Sequence, residues 1–178
     1  MLKDSHFNLD DYIRKVPDFP RKGILYYDIS SILISPEAFL FCIDSMVNAY
    51  KNKNFHAVAA IEARGFLFAA PFAIRMGLPL ILVRKKGKLP CVVSSKEYDL
   101  EYGKGVIEIH CSDIPKGKNV LLVDDLIATG GTLDAARFLL VNGGAAVLDI
   151  FGVIGLPFLN YKKLLDPTPV LTLINYDM

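Results

Sequence analysis

Several short stretches of this chain are apolar on both of their alternating faces. They are "HAVAAIE", "LILVRKKGK" before its basic end, "NVLLVDD" before its acidic end, and "AAVLDIFGVIG". A strand with no polar face cannot lie open to water on either side, which points to a mostly parallel twisted sheet covered by helices on both faces. The segments between them have helical spacing. Ser35-Pro36 opens one, with Phe39, Cys42, Ile43, Met46 and Tyr50 on its core face. "RGFLFAAPFAIRMG" is a second, stopped by Gly77, and "TLDAARFLLVNGG" a third, ended by glycines. The class is therefore α/β. "NLDDYIRKV" reads as a short helix capped by Asn8 or Asp10, "PDFPRKG" as a turn-rich passage, "GVIEIH" as a more exposed strand, and "TPVLTLINY" as the last strand.

The length of 178 residues fits one domain with a full core, and 52% apolar residues argue against disorder. A net charge of +1 gives no basis for whole-surface binding to nucleic acid, so any anion site must be local. Cys42, Cys91 and Cys111 show no C-x-x-C spacing and read as reduced thiols, each a small core residue, in a cytoplasmic protein. "MLKDSHFNLDD" lacks the apolar centre of a signal peptide, and no apolar run is long enough to span a membrane. His6, His56 and His110 are scattered without metal-ligand spacing and read as surface or satisfied core residues.

In parallel α/β sheets, ligands sit beyond the carboxyl ends of the strands. Three strands are expected to end there in charge: one at Glu62, one at Arg84–Lys88, one at Asp124-Asp125. The last opens "VLLVDDLIATGGTL", a strand, a bare loop and a helix start. Backbone N–H groups of Ala128, Thr129, Gly130, Gly131 and Thr132 form a cradle for an anion, with threonine hydroxyls as further donors. The glycines alone fit a plain turn with a threonine cap equally well. A Walker A loop is excluded because Thr132 stands where its Lys would be, and G-x-G-x-x-G is absent. The adjacent aspartates favour the cradle over the plain turn, and the apolar flanks fit a solvated strand end less well. Two carboxylates closing an apolar strand repel and desolvate each other unless hydroxyl donors or a cation answer them. A diol beside a phosphate cradle describes a ribose 5-phosphate.

At this length and order the segment resembles the phosphoribosyl-diphosphate (PRPP) signature of the type I phosphoribosyltransferases. "VPDFPRKGILYYDIS", "EARGFLFAAPFA", "LVRKKGKLP" and "YDLEYGKGVIEIH" narrow the resemblance, over roughly residues 12 to 145, to the adenine phosphoribosyltransferase family. The resemblance implies the type I phosphoribosyltransferase fold as a single domain over residues 1–178. Residues 1–34 would contribute a hood over the base, and residues 92–106 a mobile catalytic loop that excludes water. It implies purine salvage: adenine and PRPP give AMP and pyrophosphate, with Mg²⁺, in a homodimer, without nucleic acid or membrane. Asp124 and Asp125 would hold the ribose hydroxyls, directly or through metal and water. Residues 128 to 132 would hold the 5-phosphate. Glu62-Ala63-Arg64-Gly65 resembles the pyrophosphate loop, with Arg64 on the diphosphate and a cis peptide at Glu62–Ala63. Arg84, Lys85 and Lys88 would reach the diphosphate. Glu101 would exchange a proton with the base, and Tyr102 shares its loop. Leu25 and Tyr26 would face the purine, with backbone groups of residues 25 to 27 reading its edge. Two positions depart from the family pattern: Tyr27 replaces a usual basic residue, and Gly155 an acidic one.

Two other readings use the same PRPP loop. One is a phosphoribosyltransferase for a 6-oxopurine, against which the hood passage and "LEYG" argue. The other is a PRPP-sensing regulator without catalysis. Such proteins add a DNA-binding module or a broad basic face, and the sequence offers neither.

Overall fold

Asn8 accepts a hydrogen bond from Asp10 N and starts a single 3₁₀ turn, Leu9–Tyr12. The structure, a computed structural model, describes residues 7–99 and 103–177. The helix expected over "NLDDYIRKV" ends at Tyr12. Ile13 is already extended, and strand β1 (Arg14–Pro17) pairs antiparallel with β2 (Leu25–Asp28). The register sets Arg14 opposite Asp28, with Nη1 3.1 Å from Oδ2, so the ladder and its charge pair override local helix propensity. "PDFPRKG" is the turn between them. A one-turn helix α1 (Ser30–Leu33) and the long α2 (Pro36–Tyr50) follow. Pro36 opens α2 at the point where a missing N–H costs no intrahelical bond. The chain divides after Asp44 into two compact units, so α2 starts in the first and finishes in the second.

The second unit continues with β3 (Ala57–Ile61), α3 (Arg64–Met76), β4 (Leu80–Lys85), β5 (Val93–Asp99), β6 (Lys104–His110), β7 (Asn119–Ile127), α4 (Gly131–Asn142), β8 (Ala146–Gly155), α5 (Tyr161–Leu165) and β9 (Val170–Asn175). Among the described residues seven strands form one sheet, in the order β5-β6-β4-β3-β7-β8-β9. Strands β4, β3, β7, β8 and β9 run parallel, and β6 turns antiparallel to both β4 and β5. β3 is buried along its whole length, as its composition requires. Ala57, Ala59, Ile61, Val120 and Leu122 share a cluster with Ala136, Leu139 and Leu140 of α4, and α3 packs against β3 and β7. Each fully buried Leu or Phe stabilises such a core by about 1.5–3 kcal/mol.

Two strands differ from expectation. β7 does not end at the aspartates: it passes through them to Ile127, because β8 runs alongside and pairs Asp124 with Gly152 and Ile127 with Gly155. On its other side β3 stops pairing at Ala60–Val123, which leaves the carboxylates open to the loop that follows β3. β6 is more buried than "GVIEIH" suggests, since Ile107, Glu108 and Ile109 lie between β4 and β5. Cys42 is buried, but Cys91 and Cys111 are exposed at the base of the β5–β6 hairpin, not in the core. Among the described residues no helix is long and apolar enough to cross a membrane.

Candidate active site

The parallel register brings the ends of β4, β3 and β7 to one edge of the sheet. Glu62, just past β3, meets Arg84 near the end of β4. Arg84 Nε and Nη2 each lie 3.2 Å from one oxygen of the Glu62 carboxylate. Arg84 Nη1 donates to Lys88 O at 3.1 Å, and Lys85 N donates to Glu62 at 2.9 Å. This two-pronged pair with Arg84, aided by the Lys85 amide and by the charge of Lys88, holds the Glu62 carboxyl below its ordinary range, against the opposing effect of burial. Arg84 is thus engaged with Glu62, while Lys85 and Lys88 are exposed. The Glu62–Ala63 peptide is cis, as the resemblance implies.

Arg64 begins α3 and points to β7. Its Nε stands 2.6 Å from Asp125 Oδ2, off the hydrogen-bond axis, so that this buried oxygen has an ion-pair neighbour but no hydrogen bond. Gly65 follows for a steric reason. A Cβ there would meet Val123 O at 3.0 Å, Asp124 Cα at 3.2 Å and Asp124 Oδ1 at 3.3 Å. Asp124 Oδ1 accepts from Asp125 N at 2.9 Å. Desolvation, then the neighbouring Asp125 carboxylate, push the Asp124 carboxyl well above the usual aspartate range; the Asp125 amide and Arg64 pull the other way.

β7 ends at Ile127, and the loop enters α4 through Gly130, left-handed at φ 83 with no side-chain cap. A threonine-capped turn is therefore not what forms here. The first N–H groups of α4 keep their capacity for an anion, and the helix dipole favours one. A small cleft of about 90 Å³ lies between Asp124 and residues Ala128, Thr129, Gly131 and Thr132. A Cβ on Gly131 would come within 3.3 Å of Asp99 O, so the hairpin passes close over this loop. Gly155 is also explained by space: a Cβ there would lie 2.4 Å from Asn175 Oδ1 and 2.6 Å from the Tyr161 hydroxyl. An acidic side chain at that position would have to displace the ends of the Asn175 and Tyr161 side chains.

The other expected residues lie elsewhere or outside the description. Leu25, Tyr26 and Tyr27 form β2 of the first unit. Leu25 is exposed, Tyr26 packs edge-on to Phe19, and Tyr27 sits opposite Lys15, its hydroxyl pKa raised by partial burial. Glu101 and Tyr102 lie outside the described residues. The residues flanking them, Val93–Asp99 and Lys104–His110, form an antiparallel hairpin. Sequence reasoning left out Glu62 as the partner of Arg84, and Glu108, which is buried and accepts Gly87 N at 2.9 Å, fixing the basic turn after β4. A carboxylate at the end of one apolar strand beside a cation at the end of the next was the available signal for Glu62. His56 accepts from Asn119 N, His110 is hydrogen-bonded to Asp113 and Pro90 O, and His6 lies outside the described residues.

Among the described residues no three metal-binding side chains cluster. The hard oxygens of Asp124 and Asp125, one of them buried without a hydrogen bond, do suit Mg²⁺, provided that most of its ligands come from diphosphate and water.

Residues 28–157 match the phosphoribosyl transferase domain. The chain is 63% identical over 169 residues to an adenine phosphoribosyltransferase of Treponema denticola, covering 95% of this chain and 89% of that protein. The crystal structure of adenine phosphoribosyltransferase from Thermoanaerobacter pseudethanolicus superimposes with a TM-score of 0.91 at 42% identity, covering 95% of this chain and 100% of that one. The APRTase from Giardia lamblia complexed with 9-deazaadenine matches with a TM-score of 0.89 at 32% identity, over 94% and 96% of the two chains.

Proposed function

The chain belongs to the adenine phosphoribosyltransferase family of purine-salvage transferases, which make AMP and pyrophosphate from adenine and PRPP, and we propose that the sheet edge described above is the machinery of that transfer. One observation carries the assignment of parts. Asp124 lines one small cleft with the uncapped, glycine-rich start of α4, and its neighbour Asp125 keeps a buried oxygen without a hydrogen bond. That is a diol site next to a phosphate site.

The chemistry needs positioning and electrostatics more than covalent help. Positive charge develops on the ribose as its bond to diphosphate lengthens. Asp124 and Asp125 hold the hydroxyls and favour that charge. Ala128, Thr129, Gly130, Gly131 and Thr132 anchor the 5-phosphate. Arg64, Lys85 and Lys88 take up charge on the departing diphosphate, while Arg84 acts on it through Glu62 and the turn it fixes. Asp124 or Asp125 would hold Mg²⁺ together with the substrate, and the ion would supply positive charge that neutralises the leaving diphosphate. Glu101 exchanges the proton of the base, Tyr102 follows it in the same loop of the sequence, and closure of residues 92–106 keeps water out. Leu25, Tyr26 and Tyr27 of the 1–34 hood take the purine; backbone groups of residues 25 to 27 read its edge, which makes Tyr27 tolerable in place of a basic residue. The enzyme works in the cytoplasm as a homodimer; a subunit contact fits Leu67 and Ile74, which stand exposed two turns apart on one face of α3.

The test is an assay of adenine, hypoxanthine and guanine, each with PRPP and Mg²⁺, with the nucleotide product identified. AMP from adenine alone is expected. Comparable turnover of hypoxanthine or guanine would overturn the choice of base.

A further inference from the structure

Helix α5 stands directly behind the loop that the proposed function gives to the 5-phosphate. A Cβ placed on Gly130 would meet Tyr161 Cβ at 3.2 Å and the Leu165 side chain at 3.4 Å. Tyr161 and Leu165 are both fully buried. The left-handed turn at Gly130 is therefore pressed against a solid wall.

That wall is itself tied down at both ends. The Tyr161 hydroxyl donates to Asn175 Oδ1 at 3.3 Å, and Thr172 Oγ1 donates to the same oxygen at 2.9 Å. At the other end Arg137 of α4 gathers the last carbonyls of α5. Its Nη1 lies 2.6 Å from Leu165 O and 3.1 Å from Thr168 Oγ1, and its Nη2 lies 3.2 Å from Leu164 O and 2.6 Å from Asp134 Oδ1. Leu156 N donates to Ile127 O at 2.9 Å, which fixes the residue just before the loop. Arg137 thus couples the helix that opens at the cradle to the helix that backs it.

We propose that Tyr161, Leu165 and Arg137 are positioning residues for the 5-phosphate: α5 is a brace that holds Gly130 and its neighbours in the shape that receives the phosphoryl group. The inference rests on the reading of residues 128–132 as the phosphate site. It assigns a role to the C-terminal segment, and it predicts that damage to the brace weakens PRPP and spares adenine. Preorganised geometry is sensitive to small displacements, so a loosened loop reads out mainly in the KM of the ligand it holds.

The experiment compares Leu165→Ala, Tyr161→Phe and Arg137→Lys with the wild type and with Thr132→Ala in the cradle. Steady-state KM is measured for both substrates, and ribose 5-phosphate binding by calorimetry. Leu165→Ala is expected to raise KM for PRPP about tenfold and to weaken ribose 5-phosphate by a similar factor, with KM for adenine within about twofold. Tyr161→Phe and Arg137→Lys should move the same quantities in the same direction by less, and they stand in should Leu165→Ala fail to fold. Equal changes in both KM values, or none, overturn the brace. If ribose 5-phosphate affinity also ignores Thr132→Ala, the phosphate-site reading fails instead.

Discussion

Arg64 and Asp125 face each other across the edge of the sheet, Nε 2.6 Å from Oδ2, without the alignment of a hydrogen bond. Asp125 is buried, whereas about half of the arginine side chain is exposed. A contact of this kind neutralises charge while leaving the acceptor capacity of the oxygen unspent. It joins the loop proposed for the diphosphate to the strand proposed for the sugar.

Asp125→Asn keeps the shape and removes the charge. Loss of one preorganised electrostatic group raises the barrier by ~3–4 kcal/mol, so turnover should fall by about 10²- to 10³-fold. Steady-state kcat, with a thermal melt to confirm folding, checks this. Near-normal turnover would remove the residue from the mechanism.

Asp124 carries the pH signature. Its native carboxyl titrates above the ordinary aspartate value, so between the two the folded protein binds more protons than the unfolded chain. Stability from this group is therefore lost as pH rises through that window. Asp124→Asn, which keeps the oxygen accepting from Asp125 N, should raise the melting temperature at neutral pH. The gain should shrink on acidification towards the ordinary aspartate pKa. Melting curves from acid to neutral pH decide it; a constant gain would refute the assignment.

Arg84→Ala should act in the opposite sense on Glu62. The native carboxyl is held low, chiefly by Arg84, so its contribution is present above the ordinary glutamate pKa and is lost as pH falls through the depressed value. The variant should start less stable at neutral pH and then lose less on acidification, so that the two profiles converge. Parallel profiles would show that Arg84 does not set the Glu62 charge.

Gly65→Ala places a methyl group against Val123 O and Asp124 Cα, both backbone atoms that cannot swing away. Overpacking of this kind costs about 1–3 kcal/mol. Denaturant midpoints should fall accordingly, and kcat should drop with them because the shift lands on Asp124. Unchanged kcat in a folded variant would mean that the carboxylate tolerates displacement.

Much of this architecture was legible from apolar periodicity. β3, β4, β7, β8 and the helices α2, α3 and α4 follow directly from spacing and from Pro36 and Gly77. What escaped was set by partners distant in sequence. Arg14–Pro17 is a strand because Leu25–Asp28 lies beside it. β6 is buried because β5, hidden in a polar segment, covers it. Asp124 and Asp125 were placed at the end of their strand, since nothing local reveals that β8 continues past them. The carboxylates, the bare loop and the basic turn were all readable as residue types. The pairing of Arg84 with Glu62 and the filling of the Gly155 site by Asn175 were not, because each depends on which distant side chains the tertiary fold brings into one space.

The continuation of β7 beside β8 has one more effect. Asp124 is mounted opposite Gly152, in a ladder that runs on to Ile127 and Gly155. A backbone stitched in this way cannot sag to let neighbouring like charges drift apart. Arg64 balances the Asp125 charge, so what remains falls on Asp124, whose carboxyl takes up a proton more readily than an ordinary aspartate; hydroxyl donors or a cation compete with that proton, so occupancy is linked to proton release.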